Sequence, residues 1–218
     1  MKYRCLVLDH DDTAVNSTPA IHYPSFIEAM KEMRPLVKSY TLEEFVKYCF
    51  DPGFNSLCMD ILKYSEVEIK RQQEIWHRYT KECIPKFYDG LSDIINEFKS
   101  QGGYVCVVSH SESRNIFRDY NTNLGMEPDL VFGWEYEEYQ RKPNPYPLEE
   151  IMRKLDIDKE ELIVVDDLKP GLDMARSCEV DFACAGWSHI VPDIKRYMME
   201  KSDYYFSEVR ELHNFIFS

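Results

Sequence analysis

The stretch Arg4-Cys5-Leu6-Val7-Leu8-Asp9-His10-Asp11-Asp12-Thr13 decides how this chain is read. A short apolar run that stops in carboxylates predicts a buried strand carrying acid groups at its C-terminal tip. In open α/β sheets that tip is where ligands bind. A solvated acidic loop would look the same in isolation, so the reading depends on what the other strands supply.

Apolar runs at 104–108, 130–132, 162–165, 181–184 and 204–206, with 4–8, predict six strands. Their Val-rich, non-alternating character suits strands covered on both faces. Helical spacing at Leu91, Ile94, Ile95 and Phe98, and again at Ile151, Met152 and Leu155, falls between them. Strand and helix in alternation predict a parallel sheet built from βαβ units. Residues 18–85 break that rhythm and show only helical pattern. Thr41 with Glu44 forms a capping-box signal ahead of Leu42, Phe45, Val46 and Cys49. Asp51-Pro52-Gly53 should stop that helix, and Asn55 is placed to cap the next. A stripe of Ile69, Gln73, Trp76, Tyr79 or Thr80, and Cys83 follows, read as packing. The expected organisation is a core of residues 1–17 and 86–218 with a helical insertion at 18–85.

Composition narrows the functions available. The 218 residues are 44% hydrophobic and 14% aromatic, enough to fill a sizeable core. A net charge of −13 argues against nucleic acid or an anionic membrane as partner, since polyanions need a basic footprint. An acidic protein that handles an anionic substrate must therefore gather positive charge locally. The seven cysteines include no C-x-x-C pair and fit reduced, mostly buried side chains of a cytoplasmic protein. No apolar stretch is long enough to span a bilayer, and the N-terminus has no signal-peptide pattern.

Three further segments end predicted strands. Val107-Val108-Ser109-His110-Ser111 presents a hydroxyl, and Arg141-Lys142-Pro143-Asn144-Pro145 holds a cation in a proline-flanked loop. Val164-Val165-Asp166-Asp167 ends in a second acid pair. Singly, Ser109 could cap a helix, Lys142 could be a solvated lysine, and Asp166 and Asp167 could cap the helix through Met174 and Ala175. Those readings leave their joint placement at successive strand ends unaccounted for.

With these segments in this order, the chain resembles the haloacid dehalogenase superfamily, mostly phosphatases and phosphotransferases. Asp9-x-Asp11-x-Thr13 matches the first motif, Ser109 the second, Lys142 the third, and Asp166-Asp167 with Gly171 the fourth. The helical insertion matches the C1 cap of relatives such as phosphoglycolate phosphatase and β-phosphoglucomutase. Asp89-Gly90 resembles the turn by which that cap returns to the core. The implied fold is a Rossmann-like parallel sheet with helices on both faces plus an all-helical cap that closes over it. Two residues depart from the pattern: Asp12 and Val165 stand where glycine is usual. Asp12 falls in a tight turn, where its short polar side chain could tolerate the backbone, and it brings a third negative charge to the site.

The resemblance implies a Mg²⁺-dependent phosphatase acting on a small phosphorylated metabolite through an aspartyl-phosphate. Asp9 would be the nucleophile and Asp11 the acid and base, with Ser109, His110 and Lys142 binding substrate. Asp9, Asp11, Asp166 and Asp167 would hold the metal. A carboxylate repels a phosphoryl charge by about 4 kcal/mol at roughly 4 Å and an effective dielectric of 20, which a divalent cation offsets. Dehalogenation needs no acid at Asp11, so phosphoryl transfer is the expected chemistry. A phosphomutase of the β-phosphoglucomutase type and a catalytically idle binding protein remain as alternatives, as do a monomer and a homodimer. His22 and residues 51–55 could add specificity contacts, or serve helix packing and turn formation.

Overall fold

The computed structural model describes Met1–Ser218. Its strands are β1 (Cys5–Leu8), β2 (Tyr104–Val108), β3 (Leu130–Phe132), β4 (Leu162–Asp166), β5 (Asp181–Ala185) and β6 (Tyr204–Phe206). They form one parallel sheet in the order β3-β2-β1-β4-β5-β6. The alternating strand-helix pattern therefore builds the expected α/β fold. Two strands run one residue further than their apolar runs. Asp166 pairs with Cys184 and Ala185 with Phe206, so the neighbouring strand, not side-chain hydrophobicity, extends them.

Strand order reverses around β1, whose neighbours are β2 and β4, and such a switch point opens a crevice at the strand ends. Leu6, Leu8, Val105, Val107, Ile163 and Val165 share one apolar cluster with Leu91, Ile94 and Phe98 of a helix at Leu91–Ser100. The alternate residues Cys5, Val7, Cys106, Val108 and Val164 are equally buried, which accounts for the absence of polar alternation. The other helices relevant to the site are Ser113–Leu124, Tyr146–Leu155 and Lys169–Ser177.

The chain divides into two compact units. One comprises Met1–Asn16, Lys86–His189 and Lys195–Ser218; the other comprises Ser17–Pro85 and Ile190–Ile194. In the first, the outgoing and returning segments pair: Tyr88 N–H donates to the Ala14 carbonyl and Asn16 N–H to the Lys86 carbonyl, both at 3.0 Å. Gly90 then takes a φ of +86°, a conformation that strains any residue with a Cβ, just ahead of the helix at Leu91.

The Ser17–Pro85 part of the second unit is helical and falls between β1 and β2 in the chain, as in the C1 cap. Its core is Phe26, Met30, Phe45, Leu57, Cys58, Leu62 and Tyr64. Thr41 and Glu44 form the expected capping box, and the helix Leu42–Phe50 ends at Asp51. Asn55 does not cap the next helix: it lies inside the short helix Phe54–Ser56, whose N-cap is Gly53. The long helix runs Glu66–Glu82 behind a second capping box, Ser65 with Glu68. Of the expected stripe, Thr80 is buried and Ile69, Trp76, Tyr79 and Cys83 are partly buried, whereas Gln73 is exposed and Gln72 and Ile75 are buried instead. Trp76 packs as expected, its ring stacked on His22 and its Nε1–H donating to His22 Nδ1 at 3.0 Å.

Candidate active site

Leu8 pairs with Val165 across the sheet, so Asp9 and Asp166 reach the strand ends side by side. The Asp9 N–H still donates to the Val165 carbonyl at 2.9 Å, which holds the first acid against the second strand. Lys142 enters from the loop that follows β3. Its Nζ lies 2.6 Å from Asp9 Oδ1 and 2.6 Å from Asp166 Oδ2, with all three side chains almost completely buried.

Asp167 completes the group. One carboxylate oxygen each from Asp9, Asp166 and Asp167 lies within 4.8 Å of the others. The Leu168 N–H donates to Asp166 Oδ1 at 2.9 Å and the Thr13 hydroxyl to Asp167 Oδ1 at 3.2 Å. If all three acids ionise, one ammonium leaves two negative charges uncompensated. Burial pushes Asp166 up to about 6 despite Lys142, with Asp9 adding repulsion. Asp167 rises well above the carboxylate range, through burial and then repulsion from Asp166, Asp9 and Asp12. For Lys142, burial works against the charge, but Asp166 and Asp9 outweigh it and the ammonium is held.

This donor set is all hard oxygen, buried and over-supplied with negative charge, which fits a divalent cation of the Mg²⁺ type. Asp11 is not in the three-carboxylate group. Its side chain instead accepts a hydrogen bond from the Ser111 hydroxyl. Ser109 lies buried beyond β2, where its Oγ accepts from the Ser111 N–H at 3.1 Å. His110 is solvent-facing, and its Nε2–H donates to the Lys142 carbonyl at 2.8 Å, which braces the backbone of that loop.

Asp12 adopts the tight turn that its position demands. Its φ is +56°, and its N–H donates to the Val15 carbonyl at 2.7 Å. Aspartate tolerates this left-handed conformation better than most residues with a Cβ. The sequence reading did not include Ser111 in the site, although it lies two residues past Ser109 in the same segment. It also did not find His189, whose Nε2–H donates to the Asp167 carbonyl at 2.7 Å, or the Trp187 Nε1–H, which donates to the Thr13 carbonyl at 3.2 Å. Nothing local marks those two, because β5 brings them in from far along the chain.

No curated protein matches the chain by sequence. Solved structures do match its fold. A predicted phosphoglycolate phosphatase from Haemophilus somnus aligns with a TM-score of 0.76 at 17% identity, covering 99% of each chain. A point mutant of CbbY from Rhodobacter sphaeroides, in complex with xylulose-(1,5)bisphosphate, aligns at 0.73 and 16%, covering 94% of each chain. A protein from Bacteroides fragilis described as a haloacid dehalogenase-like hydrolase reaches 0.80 at 15%, covering 97% of this chain and 100% of its own. The family profile for haloacid dehalogenase-like hydrolases matches residues 6–185, from β1 through the last residue of β5. With that match over most of its length and this arrangement of strand-end acids and lysine, the chain belongs to the haloacid dehalogenase-like hydrolases.

Proposed function

We propose that the protein is a Mg²⁺-dependent phosphatase that hydrolyses a small phosphomonoester through an aspartyl-phosphate on Asp9. The observation that carries this is the buried junction of Lys142 with Asp9 and Asp166, beside Asp167, at the sheet's switch point. It unites a carboxylate nucleophile, a fixed cation and a donor set that fits a divalent metal. The structural relatives support the same substrate class: CbbY is bound to a sugar bisphosphate in one structure and to phosphate in another.

The chain's own groups divide the work as follows. Asp9 attacks phosphorus and the bond to the ester oxygen breaks, splitting one displacement into two easier ones. Asp11 gives its proton to the departing oxygen, then takes one from the water that cleaves the acyl-phosphate. Ser111 holds the Asp11 carboxyl in a fixed direction until that proton is needed. Lys142 balances charge on the transferred group and holds the Asp9 carboxylate in an ion pair, while the Ser109 hydroxyl binds a phosphoryl oxygen. Asp9, Asp166 and Asp167, with the main-chain carbonyl of Asp11, would hold Mg²⁺, which supplies Lewis-acid stabilisation of phosphoryl charge when bound.

The turn at Asp12 also supports an active site. Its left-handed backbone is the conformation for which glycine is usual, so the substitution leaves the loop path intact. A panel of phosphorylated metabolites and an activated aryl phosphate, assayed with Mg²⁺, tests the proposal. Wild type should release phosphate, and Asp9→Asn should lower kcat by at least about 10³-fold. No Mg²⁺-dependent release by wild type from any of these substrates would sink the reading.

A further inference from the structure

His10 lies between the two working carboxylates and points away from both. Asp9 reaches Lys142 and Asp11 reaches Ser111, whereas the His10 ring meets Asp119 of the helix Ser113–Leu124, its Nε2 lying 3.1 Å from Asp119 Oδ2. His10 is 1% exposed and Asp119 2%, so water does not stand in for either partner. Asp119 is itself fixed. Its Oδ1 accepts from Arg118 Nε at 2.7 Å and lies 2.6 Å from Arg118 Nη2, while its carbonyl accepts from Asn123 Nδ2 at 2.8 Å. The other ring nitrogen, His10 Nδ1, is buried with no hydrogen-bond partner, so Asp119 is the ring's one polar anchor.

At the backbone, the His10 carbonyl accepts from both Ala14 N–H and Val15 N–H at 3.0 Å. The residue is thus held at its ring and at its carbonyl. Ser111, which binds Asp11, precedes the same helix by two residues. The helix and the turn that leads into it therefore hold the 9–11 segment at two points.

A histidine filling core volume is the plainer account. It leaves unexplained why a buried position against Tyr120 carries an imidazole and a buried carboxylate, both of which must shed water. An aliphatic side chain would pack there without that cost. A hydrogen bond adds direction, and direction is what second-layer partners supply to reacting groups. We propose that the chain Arg118–Asp119–His10 is a positioning device. It fixes the peptide units on either side of His10 and so aims the Asp9 and Asp11 carboxylates. The proposal rests on the phosphatase reading, with Asp9 as nucleophile.

The test compares His10→Leu, His10→Gln and Asp119→Asn with wild type, using kcat, KM, Tm and the Mg²⁺-dependent affinity for beryllium fluoride. That probe forms an acyl-phosphate mimic on a carboxylate without turnover and is followed by ¹⁹F NMR. Misaiming a reacting group costs up to about 10²-fold, so His10→Leu should lower kcat by about 30- to 100-fold and weaken the adduct about tenfold, with KM within about threefold. In His10→Gln the introduced amide can donate to Asp119 in place of Nε2–H, so this variant should regain at least a third of wild-type kcat. Asp119→Asn keeps an acceptor and should fall between the two. A folded His10→Leu with wild-type kcat and adduct affinity overturns the proposal, as does a loss that His10→Gln leaves uncorrected while restoring Tm. Should His10→Leu fail to fold, His10→Gln and Asp119→Asn decide it, and wild-type values in Asp119→Asn overturn it. A wild type that binds the probe but turns over no ester defeats only the phosphatase reading, and the adduct affinities still judge the positioning role. A wild type that does neither overturns both.

Discussion

Two sets of ion pairs in this protein use the same chemistry in opposite surroundings. In the helical unit, Arg71 meets Glu32 through two bonds, Nε–Oε1 at 2.8 Å and Nη2–Oε2 at 3.0 Å, with both side chains 45% exposed. In the sheet unit, Lys142 meets Asp9 and Asp166 at 2.6 Å where water has almost no access. Arg71 also meets Glu74 at 3.1 Å, but water and salt screen this set, so it does little beyond tying two helices together. The second is unscreened and short of cations. A buried set with surplus charge of one sign is built to receive a ligand of the other sign, not to stabilise the fold.

The largest test of that contrast is Lys142→Met. Removing the one buried cation strands Asp9 and Asp166, and urea denaturation should show a loss of about 3–5 kcal/mol, typical of breaking a buried pair. A loss below about 1 kcal/mol would erase the distinction between the two sets.

Next comes the response to metal and pH. Asp166 at about 6, and Asp167 raised well above the usual carboxylate range, hold protons more tightly folded than unfolded. Their contribution to stability is therefore fully present below the unfolded carboxylate value of about 4 and is lost as pH rises through about 6. A cation that takes over from those protons should matter most where they are gone. Mg²⁺ at about 100 times its pH 8 Kd should stabilise the protein by about 2.7 kcal/mol at pH 8, and the same concentration by much less at pH 5. Thermal melts with Mg²⁺ or with EDTA at the two pH values check this, and an equal Mg²⁺ effect at both would break the argument.

Asp12→Gly should have a smaller effect. Relief of the left-handed backbone and of one negative charge near Asp167 should raise stability by about 0.5–1 kcal/mol, read from the urea midpoint. The smallest effect is expected on the exposed side of the comparison, where Arg71→Met should shift Tm by less than about 2 °C.

Much of the sheet was readable because a doubly covered parallel strand needs an unbroken apolar run. Residues 104–108, 130–132 and 204–206 form strands with the expected bounds. The helical unit was less readable because its polar faces resemble each other. The Ser65–Glu68 capping box carries the same signal as Thr41–Glu44 but is not part of the sequence reading, and Gln72 and Ile75 are buried where Gln73 is expected. In the site, Asp9, Asp166 and Asp167 are marked by an abrupt change from apolar run to charge, and Lys142 by its proline-flanked loop. Ser111, Asp119 and His189 are not, since a serine, a helical aspartate and a loop histidine have ordinary alternatives and acquire meaning only from their partners.

Sequence alone determined that acid groups end β1 and β4 and that a hydroxyl ends β2, because strand hydrophobicity and its termination are local properties. Tertiary structure alone decided that one ammonium serves two carboxylates while a third faces them. It also decided that Asp11 turns to Ser111 and that His10 reaches back to Asp119. Those outcomes depend on which strands become neighbours and in what register. That choice is made by the packing of the whole sheet against its helices, which no single segment encodes.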